Sequence, residues 1–417
     1  MNSVSAVIPH IIEQHAEEAA FLWLLRNRAI YAPHYNLKDL AKLDGRVEAH
    51  IDGLRITGDY GWQVSLANMA AKECGETFAA SILAFESNSV DRLNALYQAV
   101  EAAPETLNGL ISALGWVEPQ HLRGKVSGLL ASDMPMWRQA GIAACAIHRV
   151  DPGKFLQQSL NDETIALRAR ALRAAGELGL IDLKPVLLEQ LDHNDAAISF
   201  WSAWSAARLG DRDKSIASLT KRILEGADFC FEAMFILLRI LDRHDIKELL
   251  KVLAVNEKRV RDAVIGAGIS GDSSYVPWLI RQMEMPKLAR IAGEAFSMIT
   301  GVDIAHQDLE RKKPDDFHTG PTEDPNDENV AMDPDEDLPF PDPLLTDRWW
   351  KQQQPNFTAN VRYLLGQPVQ PVHCQQLLKS AKQRQRRAAA LELALMQPDR
   401  PLFETRAVGK RQQQWLS

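Results

Sequence analysis

No two of the four cysteines form a CxxC pair. Cys74, Cys145, Cys230 and Cys374 are scattered through 417 residues, which argues against a paired-cysteine site and reads as buried thiols in a reducing compartment. His373-Cys374 has no further ligands nearby, so no metal site is expected. Long apolar runs are also missing. The richest, Phe229 to Leu241, carries Glu232 and Arg239 and is too short to span a bilayer. The N-terminal apolar residues are interrupted by His10, Glu13, Glu17 and Glu18, without the basic start or small-residue cleavage site of a secretory signal. The expected address is the cytoplasm, with no membrane partner. Positive charge is not in excess either. The formal net charge is -8, so binding of nucleic acid by bulk electrostatics is not expected.

Catalytic signatures are equally scarce. The chain has no GxSxG, no HExxH and no P-loop. It has no His-Glu dipeptide, which a di-iron repeat hydroxylase would need in recurring pairs. A repeat-type DNA glycosylase would need a basic concave surface with aromatics and a carboxylate. Trp201, Trp204 and Asp195 offer the latter, but Arg and Lys are not concentrated there. Gly266-Ala-Gly268-Ile-Ser-Gly271 fits GxGxxG, yet Lys258 to Val264 before it reads as helix where a dinucleotide site needs a strand. His50 and His148 read as packed or solvated. No catalytic residue and no cofactor are expected.

What the chain does have is a ladder. Apolar runs end at Ala175-Gly-Glu-Leu-Gly179-Leu-Ile-Asp182, Ala207-Arg-Leu-Gly210-Asp-Arg-Asp213, Arg239-Ile-Leu-Asp242, Ala267-Gly-Ile-Ser-Gly271-Asp272 and Met298-Ile-Thr-Gly301-Val-Asp303. Corners at Arg149, Gly179, Gly210, Leu241, Gly271 and Gly301 lie 30 or 31 residues apart, the regime of two-helix repeats. Glycine fits a helix end that needs φ > 0. Pro185 and Pro277 each sit six residues past a corner glycine, where proline opens a second helix. First helices carry Trp137, Ala140, Ala144 and Ile147, then Leu167, Ala171, Ala174 and Leu178, then Ile198, Trp201, Ser205 and Leu209, at helical spacing. Second helices carry Leu156 and Leu160, then Leu187 and Leu191. Stacked repeats bury what one pair cannot. The pattern resembles short HEAT-like repeats, well over 130–304 and loosely over 71–129, with a further corner at Gly115.

The flanks differ. In 1–70, Ile12, Ala16, Ala19 and Trp23 mark one helical face and Leu37, Leu40, Leu43, Val47 and His50 another. They are read as a helical cap on the stack or as a docking module. Residues 305–347 are read as an acidic, proline-rich linker. Within them, 314–347 hold twelve Asp or Glu, seven Pro and no Lys or Arg. Residues 348–417 invert the charge, with twelve Lys or Arg against three Asp or Glu. Leu377, Ala381, Ala388, Leu391 and Leu395 share a face there, with Lys379, Lys382 and Arg386 on another, which reads as a helix that docks against the solenoid and keeps a solvated basic face. The expected fold is all-α: a HEAT-like α-solenoid over 71–304, a helical N-terminal cap, and a small basic C-terminal helical segment.

Several stretches also resemble a family of proteobacterial proteins over nearly the whole chain. They are Glu13 to Trp23, Leu40 to Leu54, Leu338-Pro-Phe-Pro-Asp342, Trp349-Trp350, Arg362-Tyr-Leu-Leu-Gly366 and Gln383 to Leu395. Members of this uncharacterised family are often encoded beside type VI secretion effector and spike genes, and the family supplies no established catalytic residues. Two classes of function follow. One is a protein-binding adaptor or scaffold, with a secreted effector or spike-associated component as the partner the resemblance implies. Trp349, Trp350, Arg384, Arg386 and Arg387 are its candidate contacts, because tryptophan and arginine often anchor interfaces. The other is an enzyme whose site is assembled from distant repeats, such as one that modifies nucleic acid.

Overall fold

The computed structural model describes residues 8–315, 317, 319–320 and 331–417. Among them the chain forms 23 α-helices and one two-stranded hairpin, and its architecture is an all-α, HEAT-like solenoid. It divides into two compact units. Of the described residues, the first holds 8–187, 379–384 and 399–417, and the second holds 188–315, 317, 319–320, 331–378 and 385–398.

In the first unit, Pro9 opens helix Pro9–Ala29, at a position where the missing amide costs no hydrogen bond. Ile12, Ala16, Ala19 and Trp23 face inward and pack on helix Leu37–Ile56, whose Leu40, Leu43, Val47, Ile51 and Leu54 are buried. Asn36 starts that second helix. Its side-chain oxygen accepts from the amides of Lys38 and Asp39 at 2.8 and 3.0 Å, and the Asp39 carboxylate accepts from the Asn36 amide at 3.2 Å. Such a reciprocal cap contributes ~1 kcal/mol. These helices share one core with Phe78, Leu110, Trp137 and Ala144 of the helices that follow.

The repeats have the expected anatomy. In the first unit, first helices Pro135–Ile147 and Ile165–Leu178 pack side by side. In the second, Ala196–Arg208, Cys230–Ile240, Val260–Ser270 and Pro286–Thr300 alternate with Lys214–Glu225, Arg243–Val255 and Val276–Gln282. Leu167, Ala171, Ala174, Ile198, Ser205, Leu156 and Leu187 are buried. Backbone φ is positive at Arg149, Gly179, Gly210, Gly271 and Gly301, as the ladder requires. Leu241 departs from the pattern: its φ is −68°, and Asp242 directly caps the next helix by accepting from the Asp245 amide at 2.9 Å. Gly115 also departs, because it lies inside helix Leu107–Trp116. The GxGxxG residues lie within and at the end of helix Val260–Ser270, with no strand before them.

In the second unit the acidic stretch is anchored at Asp333, Asp335, Leu338 and Phe340, while Ala331, Met332, Pro334, Glu336 and Asp337 stay exposed; Asp316, His318 and residues 321–330 of the expected linker lie outside the described ones. Asp335 receives both terminal nitrogens of Arg261 at 2.7 and 2.6 Å. Arg290 donates to the Asp335 carbonyl at 2.9 Å and to the Asp333 carboxylate at 2.6 Å, and it lies over the rings of Phe340 and Phe317. A planar guanidinium can serve carboxylate, carbonyl and aromatic face together. The Arg311 amide donates to the Phe340 carbonyl at 2.8 Å and the Asp342 amide to the Leu309 carbonyl at 2.7 Å, closing the segment onto itself.

Candidate functional site

The repeat corners hold the C-terminal segment, and backbone chemistry explains why. A helix end leaves carbonyls without intrahelical partners. In the second unit, Leu365 and Gly366 form the turn of the hairpin Tyr363–Leu364/Gln367–Pro368, both with positive φ. Their amides donate to the carbonyls of Met298 and Ile299 at 2.8 and 2.9 Å, completing the end of helix Pro286–Thr300. The Tyr363 amide donates to the Gly271 carbonyl at 2.8 Å. Arg362 then joins two helix ends, donating to the carbonyls of Ser270 at 3.1 Å and Arg239 at 3.0 Å, while its third nitrogen pairs with Glu392 at 2.6 Å. Glu392 also lies 3.1 Å from Arg239, whose side chain is buried. Desolvation lowers the Arg239 pKa to about 10 despite that carboxylate. At another corner, Arg208 donates to the Pro398 carbonyl at 3.1 Å.

The first unit repeats the device with other residues. The Leu402 amide donates to the Glu177 carbonyl at 2.8 Å, and the Arg149 Nε donates to the Leu402 carbonyl at 2.5 Å. Arg149 thus uses at its corner a side chain that glycine lacks. Glu177 pairs with Arg173 at 2.8 Å and Arg170 at 3.0 Å; Glu404 pairs with Arg406 at 2.7 Å and Arg149 at 3.3 Å. Burial opposes ionisation of both acids, but the surrounding guanidinium groups prevail. They hold Glu177 well below the usual carboxylate range and bring Glu404 to about 2. Arg411 donates to the carbonyls of Gly115 and Trp116 at 2.8 and 2.9 Å, at the end of helix Leu107–Trp116. Arg26 links Asp44, at 2.7 Å, to the Arg406 carbonyl, at 2.8 Å.

The candidate contacts of the basic segment fall within these arrangements. Trp350 is 4% exposed and packs on Phe357, and its Nε1 is buried without a hydrogen-bond partner among the described residues. Half-buried Trp349 meets Phe296 edge to face. Arg386 is 0% exposed, donates to the Leu378 carbonyl at 2.8 Å, and has its pKa lowered to about 10 by desolvation. Arg387 lies 4.5 Å above the Phe235 ring. Those four belong to the second unit; in the first, Arg384 donates to the Tyr31 carbonyl at 2.8 Å. Of the four in the second unit, Trp350 and Arg386 are buried, and Trp349 and Arg387 are half-buried. What sequence reasoning missed is that this charge serves helix-end carbonyls and carboxylates. One signal was available: arginine outnumbers lysine eight to four across 348–417, and arginine is the cation suited to buried, multi-partner sites.

The second unit also has open apolar positions that repeat with the ladder. Leu224, Val252, Val255 and Met285 are 46%, 56%, 80% and 52% exposed. They sit at the ends of successive second helices or just after one, at the corners that lead to the next first helix. Exposed residues of both signs flank them in sequence: Lys221, Lys251, Lys258 and Lys287, with Glu225, Glu248, Glu257 and Glu284. Among the described residues, no group of three or more His, Cys, Asp or Glu is placed to hold a metal ion, and no helix is long and apolar enough to cross a membrane.

Comparison with known proteins adds one finding: a HEAT-repeat family model matches residues 153–230. HEAT repeats are commonly protein-interaction scaffolds. No curated protein and no solved structure matches the chain.

Proposed function

We propose that this chain is a protein-binding adaptor whose partner docks on the open second-helix edge of the second unit, and that it is accessory to loading or delivery of a type VI secretion effector. The supporting observation is the recurrence of exposed Leu224, Val255 and Met285 at the repeat period, with exposed Val252 one turn before Val255, while the C-terminal segment occupies the other helix ends. One exposed leucine is ordinary, but apolar residues repeated on successive rungs form an extended patch of the kind that marks a protein contact. The half-exposed Trp349 and Arg387 are proposed as a separate contact within this unit, and Arg384 as one of the first unit. Trp350 and Arg386 would take part only in a state with the segment lifted away. The resemblance of Leu338 to Asp342, Trp349-Trp350 and Arg362 to Gly366 narrows the partner to an effector or spike-associated component.

The test is affinity capture from native cells with wild-type chain and with the triple variant Leu224→Asp/Val252→Asp/Val255→Asp. These side chains face solvent, so circular dichroism should show an unchanged melt. The proposal expects the wild type to retain an effector or spike component and the folded variant to lose it. Equal capture by both would overturn the assigned edge, and a partner set without secretion components would overturn the assigned pathway.

A further inference from the structure

We infer that two copies of this chain associate through the outer face of helix Pro9–Ala29, as an antiparallel, two-fold symmetric pair. The inward face of this helix is used by the core, with Ile12, Ala16, Ala19, Leu22 and Trp23 all buried. The outward face carries Gln14, Glu17, Phe21, Leu24 and Arg28, all exposed and spaced by three or four residues, so they form one stripe along the helix. Its centre is apolar, with Phe21 55% and Leu24 45% exposed. Its flanks are charged and opposite in sign. Among the described residues neither Glu17 nor Arg28 enters an ion pair, although Arg55, Arg92 and Arg138 of the same unit each have one.

The arrangement is its own complement. Glu17 lies four residues before Phe21, and Arg28 lies four residues after Leu24. When a second copy is laid antiparallel about the midpoint of Phe21 and Leu24, each Phe21 meets the other copy's Leu24. Each Glu17 then meets the other copy's Arg28. A two-fold interface requires this reciprocity, residue i on j and j on i. A parallel arrangement would set Glu17 against Glu17 and Arg28 against Arg28, which like-charge repulsion disfavours. The helix dipoles also favour the antiparallel pair. A single-helix stripe is small beside the ~1,200–2,000 Å² of a standard stable interface, so the dimer should be weak, with a Kd on the order of micromolar.

Sedimentation equilibrium of the full chain over a range of concentrations tests this, with thermal melts of every variant as the check on folding. The wild type should move from 46.6 kDa toward twice that mass as concentration rises. Phe21→Asp/Leu24→Asp should stay at monomer mass. Glu17→Arg and Arg28→Glu, each placing two like-charge contacts in the dimer, should each weaken it about tenfold. The double variant Glu17→Arg/Arg28→Glu restores complementarity and should return to near wild-type association. A wild type that stays monomeric at every concentration would overturn the inference. So would single charge reversals that dimerise like the wild type, or a double variant no better than the singles. Failure here leaves the partner edge of the second unit untouched, because the two surfaces share no residue.

Discussion

The backbone of Arg400 passes so close to Gly179 that a β-carbon on the glycine would lie 2.7 Å from the Arg400 carbonyl oxygen. The same corner needs a φ of +75°. Gly179 therefore answers two demands, the left-handed helix end and the room for the C-terminal segment. Gly271 does the same for the backbone of Tyr363, at a φ of +69°.

Gly210 separates the two demands. Its φ is +94°, but the nearest atom to a β-carbon there would be Pro398 Cγ at 4.0 Å, an ordinary contact. Gly210→Ala should cost only the conformational term, roughly 1–2 kcal/mol. Gly179→Ala should cost clearly more and should speed proteolytic cutting within 399–417. Urea denaturation and limited proteolysis measure both. Equal losses at the two sites would mean that the C-terminal segment does not depend on contact at the Gly179 corner.

Glu392 lies between Arg239 and Arg362, and the Arg239 side chain is only 1% exposed. Glu392→Gln leaves that guanidinium buried without its counter-charge, a change that costs about 3–5 kcal/mol in such settings. Replacing Arg362 with Lys should also destabilise the second unit, because one ammonium cannot span the carbonyls of Arg239 and Ser270 as well as Glu392. Chemical denaturation is the measurement, and a loss under about 1 kcal/mol for Glu392→Gln would contradict the role given to this ion pair.

Asp333 and Asp335 tether the acidic stretch to Arg290 and Arg261. In the wild type, residues 331–342 should resist limited proteolysis. Arg261→Ala should expose them to cutting while the repeat helices stay intact. Wild-type cleavage there at the rate of a free peptide would sink the tethering.

Two histidines of the first unit set a pH dependence. Burial lowers the pKa of His148, whose Nε2 lies 2.8 Å from the Leu114 carbonyl, and that of His50, with His15 adding to the effect. A histidine with a depressed folded pKa takes up protons more readily when unfolded. Stability should therefore be full above the unfolded value of about 6.5 and decline as pH falls below it. His148→Gln should flatten the decline, as read from denaturation midpoints between pH 7 and pH 5. Glu404, brought to about 2, should add its own loss only in stronger acid, below the ordinary carboxylate value. An unchanged slope in His148→Gln would remove that histidine from the account.

Much of the repeat architecture was legible because its causes are local. A left-handed helix end selects glycine at 179, 210, 271 and 301, and a buried stripe selects small and apolar residues such as Leu167, Ala171 and Ala174. Leu241 marks a corner of the ladder that turns without a left-handed residue, because an aspartate N-cap can restart a helix directly. The C-terminal segment was harder to read. Arg386 in a basic helix looks like a solvated charge, and only tertiary structure reveals that it is buried and donates to the Leu378 carbonyl. Asp335 has the same history: it belongs to a stretch whose composition reads as solvated, yet the distant Arg261 and Arg290 hold it in place. Non-local pairing leaves no periodic trace in sequence.

Hydrogen exchange followed by mass spectrometry on the intact chain tests the central claim most directly, that the C-terminal segment is a built-in part of the repeat corners. The amides of Tyr363, Leu365 and Gly366 in the second unit, and of Leu402 and Gly409 in the first, all donate to repeat or N-terminal groups at 2.7–2.9 Å. The account predicts that peptides covering them exchange as slowly as those of the repeat helices Ile165–Leu178 and Val260–Ser270. Exchange of these C-terminal amides within seconds, with the repeat helices still protected, would contradict it.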